Sequence, residues 1–72
     1  MYAVEDDLPV LTPREEAVLG HLASELSLDQ IARALFVSRN TIKTQTSSLY
    51  RKLRVRGRHH AVRRAYQLGL LE

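Results

Sequence analysis

The sequence contains no cysteine, only three glycines, and no long apolar run. Without cysteine there can be no disulfide and no thiolate metal site, which fits a reducing compartment. No apolar stretch approaches membrane-spanning length, and the first ten residues, "MYAVEDDLPV", lack the basic and apolar regions of a signal peptide. We therefore expect a cytoplasmic protein without a membrane partner.

Residue patterns typical of enzymes are also missing. The three glycines form no phosphate-binding loop, and there is no nucleophile motif. His59 and His60 are adjacent, so on a helix they would point about 100° apart and could not hold one metal together. Glu15 and Glu16 are neighbours at a helix start, where capping and the helix dipole explain them. We expect no enzyme activity, no cofactor and no metal site.

Acidic residues are nearly absent from the second half of the chain. Seven acids against two arginines give residues 1–35 a net charge of −5, whereas nine Lys and Arg against one acid give residues 36–72 a net charge of +8. The chain has 72 residues and forms one small domain. A block this cationic in so small a domain favours a polyanionic partner. The alternative is that these cations only solvate helix faces.

Capping motifs predict three helix starts. "TPRE" places Thr12 as N-cap and Glu15 as its capping-box partner, and "SLDQ" repeats this arrangement with Ser27 and Gln30. "SRNT" offers Ser38 as a third N-cap. Each motif precedes a segment with helical spacing of apolar residues.

Apolar periodicity predicts four helices and no strand, because no segment alternates with period two. The fourth helix follows Gly57. We expect an all-α, compact four-helix helix-turn-helix domain over residues 12–72, preceded by an arm or linker over residues 1–11. The residues expected to face the core are Val18, Leu19, Leu22, Leu26, Leu28, Ile31, Ala32, Leu35, Ile42, Thr46, Leu49, Leu53, Ala61, Ala65 and Leu68.

Helices two and three are joined only by "FVS", residues 36–38. So short a connection favours a sharp crossing, as in a helix-turn-helix that presents its second helix to the major groove of DNA. An ordinary corner of a helix bundle is the alternative. If Thr46 lies on the inward stripe of the third helix, we expect its hydroxyl to bond back to a helix carbonyl.

The outward face of the third helix is polar, mostly short and free of acids. Lys43 can donate to guanine O6 and N7, the Thr44 methyl can meet a thymine methyl, and the Ser47 hydroxyl can bond to bases or phosphates. Flanking cations can bind the DNA backbone through a salt-dependent electrostatic attraction. The other members of this face are Asn40 and Arg51, and the flanking cations are Arg39, Lys52, Arg54, Arg56 and Arg58.

Residues 11–62 resemble the LuxR/GerE-type helix-turn-helix domain of bacterial transcription regulators. The shared motifs are "LTPRE", "S-x-x-x-IA-x-x-LF-V-S", "T-I-K-T", "L-Y-R-K-L" and "V-x-x-R-x-x-AV", in the family's order and spacing. The segment "KTQTSSLYRKL" is most similar to the C-terminal module of the large ATP-binding, MalT-like members. The resemblance implies a scaffold helix over Leu28 to Phe36, a recognition helix over Arg39 to Leu53, and a homodimer on DNA that pairs through the fourth helix.

The resemblance also implies roles for individual residues. Its base-reading positions fall on Lys43, Thr44 and Ser47. Its phosphate-contacting positions fall on Ser38, Asn40, Thr41, Gln45, Lys52, Arg56 and Arg58. Val62, Tyr66 and Gly69 make a semi-apolar face on the fourth helix, which we interpret as the dimer interface, with completion of the core as the alternative.

Four positions depart from the family pattern. Members often have His where this chain has Gln45, and some have a base-reading cation at Ser47. The usual glycine after the third helix is Arg54, which we expect to leave that helix end without its left-handed residue. Where many members have glycine between helices one and two, this chain has Glu25 followed by Leu26, and we expect Leu26 to pack.

The leading hypothesis is sequence-specific binding of double-stranded DNA by the output domain of a bacterial transcription regulator. Two alternatives remain open. One is a helix-turn-helix-derived protein-interaction or dimerisation module that has lost DNA binding. The other is a sigma-factor-like promoter-reading domain, for which RNA polymerase would be the partner.

Overall fold

The computed structural model describes residues 9–72, so most of the arm predicted for residues 1–11 lies outside the described residues. Between residues 9 and 72 the chain forms four α-helices and no strand. They are α1 (Pro13–Ala23), α2 (Leu28–Leu35), α3 (Arg39–Leu53) and α4 (Arg58–Gln67). The predicted all-α, four-helix architecture is confirmed. None of these helices has the length and apolar character to cross a membrane.

The first three helices begin at the predicted N-caps. The Thr12 hydroxyl accepts a hydrogen bond from the amide of Glu15 at 3.1 Å, while the Glu15 carboxylate accepts one from the Thr12 amide at 2.9 Å. Ser27 and Gln30 form the second capping box, with distances of 3.1 and 2.8 Å. Ser38 caps α3 by accepting from the amide three residues on, at 3.1 Å. Each cap contributes about 1 kcal/mol, which matters where the core is small.

The core lies where the four helices meet, and α3 contacts all three of the others. Its buried apolar members are Val18, Leu19, Leu22, Ile31, Ala32, Ile42, Leu49, Leu53, Ala61 and Ala65. Leu26, Leu28, Leu35 and Leu68 pack against this cluster as partly buried residues. The predicted inward stripes, including the packing of Leu26, are therefore confirmed.

Three connections between helices place a non-glycine residue in the left-handed region: Glu25 (φ 66°), Phe36 (φ 59°) and Arg54 (φ 59°). The expectation that Arg54 would leave α3 without a left-handed residue was wrong, because Arg54 itself takes that conformation. It allows the Val55 amide to reach the Tyr50 carbonyl at 3.0 Å and close the helix end. For a residue with a Cβ, this conformation costs roughly 1–2 kcal/mol.

Thr46 occupies a core position on α3 and is 6% exposed, as predicted. Its hydroxyl, however, has no hydrogen-bond partner within residues 9–72, so the predicted bond to a helix carbonyl is not formed. The hydroxyl therefore lowers stability, because its desolvation is not compensated.

Replacing Thr46 with valine should raise the free energy of unfolding by about 1 kcal/mol, because an unpaired hydroxyl is exchanged for a methyl group of similar shape. Urea denaturation measures the change. Thr44→Val on the exposed face of the same helix is the matched control and should alter stability by less than about 0.5 kcal/mol. A Thr46→Val variant less stable than the wild type would show that the hydroxyl is hydrogen-bonded in solution.

Candidate nucleic-acid interface

The turn between α2 and α3 sets the direction of the exposed helix. Phe36 is left-handed, and the amide of Val37 donates to the Ala32 carbonyl at 3.0 Å, which ends α2 within a single turn. Val37 packs against the core, and Ser38 then starts α3. This three-residue connection forms the predicted helix-turn-helix. The buried faces of both helices leave the opposite face of α3 to solvent.

The predicted base-contacting residues lie together on that outward face. Lys43, Thr44 and Ser47 are all exposed and lie within about one helical turn of one another. Ile42 and Leu49 are buried on the other side of the same helix. No acidic residue occurs anywhere in α3, so nothing on the helix repels a polyanion.

Three of the predicted phosphate-contacting residues lie at the N-terminus of α3. The Ser38 hydroxyl donates to the Thr41 hydroxyl oxygen at 2.9 Å, and Asn40 beside them is exposed. The first turn carries no acid, so the partial positive charge of the helix end is not neutralised there. Backbone amides at such an end favour phosphate oxygens.

Gln45 and Arg56, also predicted to contact phosphates, differ in their surroundings. Gln45 is partly buried, and its side-chain carbonyl oxygen has no hydrogen-bond partner within the described residues. Arg56 is exposed in the connection between α3 and α4 and forms no ion pair with any residue of 9–72. Its guanidinium is available to an external anion.

Lys52 is engaged within the protein. Its ammonium nitrogen lies 2.7 Å from a Glu15 carboxylate oxygen and 3.1 Å from the Val10 carbonyl oxygen. The Glu15 side chain is only 10% exposed, whereas that of Lys52 is 37% exposed. Capping and the helix dipole were the roles predicted for Glu15, and this pair was not predicted. The available signal was spacing, because Glu15 precedes buried Val18 and Leu19 by three and four residues and therefore shares their face.

Arg58, the first residue of α4, is engaged as well. Its Nε and Nη2 atoms both donate to the Leu22 carbonyl oxygen, at 3.2 and 3.1 Å. That carbonyl belongs to the last turn of α1. Sequence reasoning could not find this contact, since a backbone acceptor leaves no mark on residue identity.

Burial by itself raises the pKa of the Glu15 carboxyl. The hydrogen bonds from Lys52 and from the Thr12 amide, together with the Lys52 charge, outweigh burial, so the pKa lies below its ordinary value. Glu15 therefore stays ionised in the folded domain at neutral pH. It holds the N-terminal end of α1 and the C-terminal end of α3 together.

The free energy of unfolding should fall as the pH drops below the ordinary glutamate pKa of 4.5. Because the folded pKa of Glu15 is lowered, its carboxylate stabilises the fold fully above that value, and the contribution is lost as the pH falls through the folded pKa. Glu15→Gln should lower stability at neutral pH and reduce this loss of stability at acidic pH, as measured by urea unfolding across the pH range. Glu16→Gln, at the exposed neighbouring position, should leave the loss of stability at acidic pH unchanged. A loss of stability at acidic pH that Glu15→Gln does not alter would contradict the assignment.

The predicted dimer residues lie on one side of α4 and just beyond its end. Val62 is partly buried and packs against the core, so it also serves the alternative role considered from the sequence. Tyr66 is 51% exposed, and Gly69 follows the helix with φ 77°. Of these three residues, Tyr66 is the large apolar side chain that is exposed to a partner.

A groove of about 530 Å³ lies between the C-terminal end of α1 and the N-terminal half of α4. Its lining combines apolar Leu22, Ala23 and Val62 with charged or polar Glu25, Arg58, His59 and Arg63. Among residues 9–72, no three side chains of metal-binding type converge on one point. Neither His59 nor His60 is thus placed in a cluster that could hold an ion.

Comparison with protein families matches residues 9–65 to the model of bacterial regulatory proteins, luxR family (GerE). The HTH-type transcriptional regulator MalT of Serratia proteamaculans (strain 568) is 52% identical over 58 residues, which cover 81% of this chain and 6% of that protein. The CsgBAC operon transcriptional regulatory protein of Escherichia coli (strain K12) is 43% identical over 53 residues, covering 74% of this chain and 24% of that protein. The chain thus spans a small part of the length of these relatives.

Solved structures of similar fold are also regulators. The response regulator ChrA of a heme-sensing two-component system matches with a TM-score of 0.84 and 39% identity, over 86% of this chain and 31% of that one. A chain in the complex of the anti-activator RapF with the DNA-binding domain of the response regulator ComA matches with a TM-score of 0.78 and 37% identity. That match covers 79% of this chain and 98% of the other.

Proposed function

The chain belongs to the luxR family of bacterial regulatory proteins, as a helix-turn-helix domain of the kind found in transcription regulators, and we propose that it binds double-stranded DNA sequence-specifically through α3 in the major groove. One observation carries the proposal. Lys43, Thr44 and Ser47 form an exposed, acid-free face on a helix whose opposite face is locked into the core.

Base reading would come from three side chains of different reach. Lys43 is the one long probe and donates to guanine O6 and N7. The Thr44 methyl contacts a thymine methyl, and the Ser47 hydroxyl bonds to either type of base. Because Ser47 is short and neutral, discrimination at its position is weaker than a cation would give. Small neighbours let the helix backbone approach the groove floor.

Phosphate binding would hold α3 in register. Ser38, Asn40 and Thr41 present hydroxyl, amide and backbone donors at the N-terminus of α3. Gln45 and Arg56 extend these contacts along the helix and beyond it. Lys52 and Arg58 were predicted for the same role, but in this structure both have protein partners. Counterion release by the free cations makes binding strongly salt-dependent.

Truncating Lys43 to alanine should weaken binding to the preferred duplex by about 1–3 kcal/mol and relax the choice of base at one position. Fluorescence anisotropy on the best duplex from a random pool, and on single-base variants of it, measures both effects. Arg14→Ala removes the same charge from an exposed site on α1 and should keep the base preference. Salt-insensitive binding, or wild-type affinity in Lys43→Glu, would refute groove recognition by this face.

We also propose that two copies pair through α4 on DNA, which would place two recognition helices on half-sites about 10 bp apart. The face of Val62, Tyr66 and Gly69 supports this, since Tyr66 is half exposed on an otherwise polar surface. The face is small, so DNA would supply much of the driving force for pairing. Contact with RNA polymerase and a cytoplasmic location follow from a regulator's role and belong to the same proposal.

Tyr66→Glu should abolish cooperative binding to a two-half-site duplex while leaving binding to a single half-site unchanged. A charge on each copy would face its own symmetry mate and repel it. Titration of one-site and two-site duplexes measures the cooperativity. Gln67→Glu, at an exposed neighbour on the same helix, is the control. Cooperativity that persists in Tyr66→Glu would place the contact between copies elsewhere.

A protein-interaction module is the second candidate function, and Phe36 is the observation that favours it. This side chain is 94% exposed at the tip of the helix-turn-helix and sits in the left-handed region, which is unfavourable for a bulky residue. The ComA DNA-binding domain, of the same fold, is in complex with the anti-activator RapF. A shift assay with non-specific DNA at low salt separates the two functions, since a pure interaction module would show no shift.

A further inference from the structure

Among the described residues, two cations, Lys52 and Arg58, are held by contacts that reach to α1 or to the segment just before it. Lys52, in the last turn of α3, contacts the Glu15 carboxylate at the start of α1 and the Val10 carbonyl just before it. Arg58, at the start of α4, contacts the Leu22 carbonyl near the end of α1. The paired groups are 37 and 36 residues apart in the chain, so each contact joins different helices.

We propose that Lys52 and Arg58 are positioning residues, which fix α3 and α4 on α1, and are not contacts to DNA phosphates. The proposal deepens the DNA-binding function and rests on it. It concerns how the binding face is held in place, and it reassigns two of the seven residues that the family resemblance would give to phosphate.

The surroundings of Glu15 support the assignment of Lys52. The Glu15 side chain is 10% exposed, and its oxygen Oε1 accepts from both Lys52 and the Thr12 amide. If Lys52 turned towards a phosphate, a largely buried carboxylate would lose its only cationic partner among the described residues. Breaking a buried pair in this way is strongly unfavourable. The shortness of the contact, 2.7 Å, is typical of a charge-assisted hydrogen bond.

The geometry of Arg58 supports the second assignment. Two guanidinium nitrogens converge on the Leu22 carbonyl oxygen in the last turn of α1, where the helix dipole favours a cation. The same oxygen also accepts from the Glu25 amide at 3.1 Å. Arg58 is partly buried, whereas Arg51, Arg54 and Arg56 before it are exposed. The Arg58 charge also lies close enough to Tyr50 of α3 to oppose the effect of burial, which raises the pKa of that phenol. Arg58 therefore sits where three helices meet.

The two contacts give the recognition helix and the predicted dimer helix a common support. Lys52 ties the C-terminal end of α3 to the beginning of α1, and Arg58 ties the beginning of α4 to the end of α1. The angle between the reading face and the dimer face is then set through one rigid helix. Two copies that pair through α4 would present their α3 helices at a fixed spacing only if this support holds.

The first test compares Lys52→Met and Arg58→Met with Arg56→Met, which removes an exposed cation that has no partner among residues 9–72. The affinity of the full chain for a duplex is measured against salt concentration, alongside urea unfolding. A phosphate contact contributes about 0.9 to the slope of log affinity against log salt. We expect Arg56→Met to reduce the magnitude of this slope by about 0.9 and to leave the urea midpoint unchanged. Lys52→Met and Arg58→Met should keep the wild-type slope, lower the midpoint, and weaken binding by one factor at every salt concentration.

The second test uses Glu15→Gln, which keeps Lys52 intact and stays informative if the methionine variants do not fold. If Lys52 positions α3, loss of the Glu15 charge loosens the support, so binding weakens and the salt slope is unchanged. If Lys52 is a phosphate contact that Glu15 restrains, the substitution frees it, so binding tightens and the slope steepens by about 0.9. The two roles of Lys52 therefore predict opposite changes in DNA affinity on Glu15→Gln.

The assignment is overturned if either methionine variant lowers the slope as Arg56→Met does at an unchanged urea midpoint, or if Glu15→Gln tightens binding. Failure of the proposed function looks different, since the wild type itself would then bind no DNA. In that case the urea midpoints still decide whether the two contacts support the fold, and wild-type midpoints in both methionine variants would overturn the assignment.

Discussion

The structure depends on one constraint: α3 must bury one face among three other helices while leaving the opposite face free for a ligand. Ile42, Leu49 and Leu53 are buried on one face of α3, and the helix contacts α1, α2 and α4. The core is small, so capping boxes at α1 and α2 and the serine cap of α3 contribute a substantial share of the stability. A rigid α3 whose outward face carries no acid is the result, and the proposed DNA binding follows from that face.

In the proposed complex, specificity and affinity would come from different parts of this surface. Lys43, Thr44 and Ser47 are few and mostly short, so as base contacts they would favour close approach over strong discrimination. Affinity would then come largely from cations and from the N-terminus of α3, where Ser38 and Thr41 are already joined by a hydrogen bond. The net charge of the second half overstates the cations available, because Lys52 and Arg58 bond within the protein and Arg39 lies 3.4 Å from Asp29. The family match supports the LuxR type over the sigma-factor alternative.

Several features of the fold depart from what local rules favour. Glu25, Phe36 and Arg54 occupy left-handed positions that glycine would occupy without strain, and Thr46 buries an unpaired hydroxyl in the core. Each lowers stability in a domain that has little to lose. Phe36 combines an unfavourable backbone conformation with nearly complete exposure of its side chain. That combination is why a protein partner at the helix-turn-helix tip remains the second candidate function.

The amino-acid sequence by itself determined the features that arise within one helix or one turn. N-caps at Thr12, Ser27 and Ser38, the apolar stripes and the polar outward face of α3 all follow from spacing along the chain, because capping and periodicity act over three or four residues. Only the tertiary structure decided which cations are engaged, since Lys52 and Arg58 find partners more than thirty residues away. Two of those partners, the Val10 and Leu22 carbonyls, are backbone groups, which every residue has, so no residue pattern could point to them. A charge count therefore predicts a polyanionic partner, but packing selects which of the charges can reach it.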